Sequence, residues 1–313
     1  MATVETVLGP VDEGELGFTL SHEHVLVGID ARIYPWRYDL EATRRRAVAE
    51  LREAKQGGVD SVIDLTTPDL GRDVKAIAAI ARDAGVHVVV ATGIWRNPPH
   101  SFWAREPDEI AEIFVREIEV GIDDTAVKAG AIKVANDVEG VTEVAERILR
   151  GAARACKQTG CPISTHHWAP LEVGRRQVEI FQDEDVPMDR VCIGHSADAT
   201  DVRYLEDLLN AGVYLSMDRY PGGVGGRPDW RARNETVKAL IDRGWTERLM
   251  LGHDYAPAAV RAGAPAPASG ERTRYLFVSE VAIPALREVG VTEEAIQTMM
   301  REVPRRFLVG SRG

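Results

Sequence analysis

Short apolar runs alternate with longer amphipathic stretches along this chain. The runs cover residues 18–21, 61–65, 87–91, 131–135, 162–165, 191–194, 213–217 and 249–252. Most are rich in β-branched residues and uninterrupted by charge, which predicts strands buried on both faces. Helical periodicity falls between them, over residues 40–55, 73–84, 108–120, 142–159, 173–184, 200–211, 232–243, 274–289 and 292–308. Several of these patterns stop at a glycine, as at Gly57, Gly85, Gly121 and Gly160, and glycine just past the last turn is a helix stop signal. Eight strands in alternation with helices predict a single α/β domain over 1–313, a (β/α)8 TIM barrel. An open doubly wound sheet is the alternative. Two Gly/Pro-rich stretches, Pro221 to Pro228 and Ala256 to Gly270, follow the seventh and eighth runs and read as loops. The second is expected to cover the barrel mouth.

In such a barrel, chemistry sits where the strands end. The polar residues at those ends form a pattern. His22 and His24 close the first run two residues apart, so both can face one side of an extended chain. Lys133 lies inside the fourth run, where an unpaired ammonium is costly. His166 ends the fifth run, His195 the sixth and Asp254 the eighth. Each alone has an ordinary structural explanation. Together, four imidazoles, a carboxylate and a buried amine at one mouth point to a metal site. His167 alternates away from His166, which makes His166 the preferred ligand. His253 alternates with Asp254 and is a candidate substrate contact. His87 opens its strand at the wrong end for chemistry, and His100 falls in a loop. Arg72, Asp73 and Asp64 read as structural.

Composition narrows the partners. The chain has 313 residues, 49 acidic and 38 basic side chains and a net charge of −11, which disfavours nucleic acid. No apolar run is long enough to span a membrane, and the first residues do not read as a signal peptide. The three cysteines, Cys156, Cys161 and Cys192, form no pairing pattern and fit a reducing cytoplasm.

Several stretches resemble the phosphotriesterase family of the amidohydrolase superfamily. They are Gly17-Phe18-Thr19-Leu20-Ser21-His22-Glu23-His24, Asp69-Leu70-Gly71-Arg72-Asp73, Ala91-Thr92-Gly93-Ile94-Trp95, Ala131-Ile132-Lys133, Ser164-Thr165-His166, Ile193-Gly194-His195-Ser196 and Arg305-Arg306-Phe307-Leu308. The resemblance implies two divalent ions, Zn or else Mn, Co or Fe, bridged by a carboxylated Lys133 and a hydroxide. It assigns His22, His24 and Asp254 to the more buried ion, and His166 and His195 to the more exposed one. Asp254 would also be the catalytic proton acceptor. Asp218-Arg219-Tyr220 and His253-Asp254-Tyr255 resemble the lactonase branch, while Trp95 resembles phosphotriesterases proper. The expected substrates are therefore small lactones, acyl-homoserine or aliphatic, with promiscuous action on an organophosphate. Trp95, Arg219, Tyr220 and His253 are the expected substrate contacts. The resemblance also implies a homodimer. The alternatives are a phosphotriesterase as the main activity, a metal-stabilised barrel that binds a ligand without turnover, and another amidohydrolase such as a deaminase.

Overall fold

The computed structural model describes residues 2–257 and 274–310. An antiparallel hairpin, β1 (Thr3–Thr6) and β2 (Gly9–Asp12), precedes the barrel. Eight strands follow: β3 (Thr19–Glu23), β4 (Ser61–Asp64), β5 (His87–Gly93), β6 (Ala131–Ala135), β7 (Ile163–His166), β8 (Val191–Gly194), β9 (Tyr214–Met217) and β10 (Leu249–Leu251). They pair in sequence order, all parallel, from β3 round to β10. This is a (β/α)8 barrel, nearly closed. Its seam is stitched by Ser21 Oγ donating to Leu251 O at 3.0 Å. Above that, the Asp254 amide donates to His22 O and the His24 amide to Tyr255 O, each at 2.9 Å.

The helices fall where periodicity placed them, except the five-residue α1 (Ile29–Ile33), which it did not anticipate. The others include α2 (Leu40–Gln56), α3 (Val74–Ala84), α4 (Pro107–Glu119), α5 (Glu143–Thr159), α6 (Gly174–Asp183), α7 (Val202–Asn210) and α8 (Trp230–Asp242). Asp39, Asp73, Thr142, Asp201 and Asp229 cap α2, α3, α5, α7 and α8 by accepting from first-turn amides. Asp73 is thus structural. So is Arg72, which grips the Glu117 carboxylate at 2.6 and 2.9 Å and donates to Ala91 O. Asp64 is buried and accepts from the Thr66 and Val25 amides.

Strand alternation divides the core. Ile63, Val89, Ala91, Ala131, Cys192 and Met250 fill the barrel interior, and Val4, Leu16 and Phe307 plug its base. Val62, Val88, Val90, Ile132 and Ile193 face the helices. Lys133 shares its face with Ala131, so its stem runs up the interior. Gly93 makes this crowding possible: at φ +114°, a Cβ there would lie 1.9 Å from Lys133 O. The expected mouth loop at Ala256 to Gly270 falls almost wholly outside the described residues.

Candidate metal centre

Three strand ends deliver the four histidines: β3 gives His22 and His24, β7 gives His166 and β8 gives His195. The register between β3 and β4 shifts between Leu20 and Glu23, a bulge-like irregularity that re-aims the chain. His22 and His24 then converge on one oxygen: their Nε2 atoms lie 3.5 and 3.1 Å from Asp254 Oδ1. His195, one residue beyond β8 at φ +62°, sends its Nε2 to 3.9 Å from Asp254 Oδ2 and 2.8 Å from His166 Nδ1. Asp254 also sits at positive φ, +54°, three residues past β10. Lys133 Nζ lies 3.4 Å from His22 Nε2 and donates to Thr165 O at 3.3 Å. The six expected ligands therefore surround one space.

Each histidine has its other nitrogen held from outside. Asp218, fully buried after β9, accepts from His22 Nδ1 at 2.8 Å and from His195 Nδ1 at 2.9 Å. It also accepts from the His195 amide and Ser216 Oγ. Asp137 accepts from His166 Nε2 at 3.1 Å, and Arg96 pairs with the same oxygen at 2.6 Å. Thr66 Oγ1 lies 2.8 Å from His24 Nδ1. Sequence reading did not single out Asp218, Asp137 or Thr66 as holding the ligands. The signal available was position, since Asp218 directly follows an apolar strand.

These bonds fix the tautomers. A carboxylate only accepts, so Nδ1 of His22 and His195 and Nε2 of His166 carry the hydrogen. The opposite nitrogens present lone pairs to the interior. With those hydrogens outward, His166 Nδ1 and His195 Nε2 bring two lone pairs within 2.8 Å, an arrangement that a cation held by both would relieve. The donor set therefore fits divalent metal, with outer partners of the kind that orient ligand imidazoles. The grouping of His22, His195 and Asp218 is different: Asp218 meets the Nδ1 atoms, which carry hydrogens and point away from the centre, so these contacts are hydrogen bonds and not ligation.

Burial dominates the electrostatics. It pushes His22 and His166 down to about 4 and His195 well below its usual value, so the rings are neutral at pH 7. Burial lowers the Lys133 ammonium to about 8, even with Asp254 and Asp218 nearby. Burial alone would raise Asp254 and Asp218; the surrounding histidines and hydrogen bonds hold both well below the usual carboxylate range.

The expected substrate contacts divide. Trp95 meets the edge of His166 with ring centroids 6.0 Å apart and lines a cavity of about 470 Å³. Arg219 is engaged by carboxylates at two points: Nε donates to Asp254 Oδ2 at 3.0 Å and Nη1 to Asp198 Oδ2 at 2.6 Å. Tyr220 is buried, and its hydroxyl donates to Asn234 Oδ1 at 2.8 Å. His253 corrects the expectation of a substrate contact. Its Nδ1 donates to Glu23 at 2.7 Å and its Nε2 accepts from the Val278 amide at 3.0 Å, so no ring nitrogen is left for a substrate. His167 turns away from the centre, as expected, donating to Gly194 O.

A model described as the phosphotriesterase family matches residues 2–308. The chain belongs to the phosphotriesterase family. A phosphotriesterase homology protein of Mycobacterium tuberculosis is 40% identical over 98% of both chains. An aryldialkylphosphatase of Saccharolobus solfataricus is 34% identical over 95% of this chain and 96% of its own. The solved structure of the phosphotriesterase from Mycobacterium tuberculosis superposes with a TM-score of 0.91 at 39% identity, covering 98% of each chain. The protein is thus a phosphotriesterase-family hydrolase with residues able to hold metal at its barrel mouth.

Proposed function

We propose that this phosphotriesterase-family hydrolase opens lactones and hydrolyses aryl phosphotriesters as a secondary activity. One observation carries the reading: four imidazoles with outward nitrogens tied down present their inward nitrogens beside Lys133 and Asp254. His22, His24 and Asp254 would hold one divalent ion, His166 and His195 a second, with Lys133 as a carbamate between them. Zn suits this mixed donor set, with Mn, Co or Fe as substitutes. Such ions would polarise the substrate carbonyl and lower the pKa of water. The chain's own residues would manage the proton. Asp254 is positioned to accept it from the attacking water, with Arg219 and Asp198 fixing the carboxylate's orientation. The proton then passes to the leaving alkoxide, which stays tethered, so lactone and water give one hydroxy acid. Trp95, at the edge of His166, would meet the substrate.

The second reading makes the phosphotriester the main substrate. It is favoured by Trp95 and by the aryldialkylphosphatase relative. Protein reconstituted with Zn, Mn or Co is compared on acyl-homoserine lactones, aliphatic lactones and one aryl phosphotriester by kcat/KM. Lactones ahead by orders of magnitude support the first reading; a leading triester replaces it with the second. Metal bound without turnover of any of these would favour a ligand-binding barrel.

The three cysteines are buried and free, which supports a cytoplasmic setting. Exposed Ile29, Ile33, Tyr34, Trp36 and Leu40 cluster in one segment, and Trp36 is 81% exposed. This supports a homodimer through that segment. Light scattering should give twice the chain mass, and Trp36→Glu should give one.

A further inference from the structure

Three guanidinium groups meet one carboxylate beside Asp254. Asp198 accepts from Arg219 Nη1 at 2.6 Å and from Arg233 Nη2 at 2.7 Å, and Arg227 Nε forms an ion pair with it at 3.3 Å. All three arginines line a cavity of about 360 Å³ together with Asp254, Tyr220 and Tyr255. The three guanidinium groups stand against Asp198 and Asp254, and Asp218 also acts on Arg219. One of these, Asp254, turns an oxygen toward His22 and His24. Of the three guanidinium groups, that of Arg227 has the weakest carboxylate partner.

The arginines are not equivalent. Arg233 is fully buried and committed, donating also to Pro228 O and Asp218 O. Arg219 is held at both Nε and Nη1. Arg227 is the least buried of the three. Its contact with Asp198 is the longest of the three, and its guanidinium lies over the Trp168 ring, 5.8 Å from the centroid. Stacking fixes a planar donor fork while leaving its edge for a ligand. A half-buried cation pays for its desolvation only when an anion completes it.

We infer that this cavity is a subsite for a carboxylate carried by the substrate, with Arg227 as its specificity-determining contact. The inference takes its scissile group from the lactonase reading above and adds the charge of the substrate's remainder. The matching substrate is a small lactone bearing a carboxylate, whose anion would sit against Arg227 while the ring meets the metal centre.

The test uses the full metal-loaded chain and two γ-butyrolactones that differ in one ring substituent, a carboxylate or its neutral carboxamide. The expected kcat/KM ratio favours the carboxylate by about tenfold or more, through KM, as a charge-assisted contact allows. In Arg227→Gln the ratio should fall toward one. A wild-type ratio near one, or a ratio that Arg227→Gln leaves unmoved, overturns the inference. Calorimetric titration with glutarate gives a readout without turnover, and binding should weaken about tenfold in the variant. If neither lactone reacts while glutarate binds with that dependence, the subsite stands and the lactonase reading falls. If both lactones react equally and the variant binds glutarate as the wild type does, the subsite falls and the lactonase reading stands.

Discussion

At the scale of the residue, one carboxylate holds ligands expected to serve two different ions. Asp218 grips His22 and His195 through the nitrogens that do not face the centre. Asp218→Asn keeps the volume but leaves a single acceptor oxygen. Both metal positions should then bind about 10- to 100-fold more weakly. Thr66→Ala should weaken one alone, since Thr66 reaches only His24. Chelator-competition titrations of the two variants separate these outcomes, and single-site loss in Asp218→Asn would refute the shared clamp. Lys133 presents a related case. Burial lowers its pKa to about 8, so a useful fraction is neutral amine at mildly alkaline pH, the form that adds carbon dioxide. Bicarbonate should therefore raise the rate of metal uptake by the stripped protein, and Lys133→Ala should abolish that response and hold less than one ion per chain by elemental analysis. All six proposed ligands were legible in the sequence because each ends or interrupts an apolar run. Their outer partners were not, because Asp137 and Asp218 acquire meaning only when strands distant in sequence become neighbours.

At the scale of the element, the strands carried their own signal and the braces between them did not. Eight apolar runs anticipated β3 to β10 within a few residues, since strands buried on both faces are built mainly of apolar side chains. The β1–β2 hairpin escaped notice: its strands are four residues each, and Gly9-Pro10 obscures the second. His253 was misread because alternation placed it at the mouth. It is instead a strut between the first barrel strand and the helical segment after the last, bonded to Glu23 and the Val278 amide. Glu23 also accepts from the amides of His253 and Tyr255. Removing the ring leaves a buried carboxylate short of one donor and an orphaned amide. His253→Ala should cost about 3 kcal/mol of stability, by analogy with broken buried pairs. Urea denaturation of the metal-free protein measures this. A loss below about 1 kcal/mol would mean that the contact braces nothing.

At the scale of the whole molecule, the centre is a concentration of neutral bases and strained charge that the rest of the barrel must hold in place. The metal-free protein should reveal this through its pH dependence. His22 and His166 titrate near 4 in the folded state, against 6.5 in an unfolded chain. Between these values the unfolded chain binds more protons, so stability rises with pH across the window and is fully present above 6.5. Each histidine accounts for about 3 kcal/mol over that interval. Lys133 acts in the same sense at the alkaline end: its folded value near 8 lies below 10.5, so stability gains again as pH rises from 8 to 10.5. The melting temperature of the stripped protein should therefore fall steeply from pH 6.5 to 4, stay level from 6.5 to 8 and climb above 8. Lys133→Met should remove the climb and keep the acid fall. Saturating metal should lift the whole curve, because ions that bind only the folded chain stabilise it by mass action. The lift should shrink toward pH 5, where protons compete for the same imidazole nitrogens. A metal-free protein equally stable at pH 5 and pH 7 would show that these histidines are not held neutral by burial, and the tautomer argument for a cation between His166 and His195 would go with it.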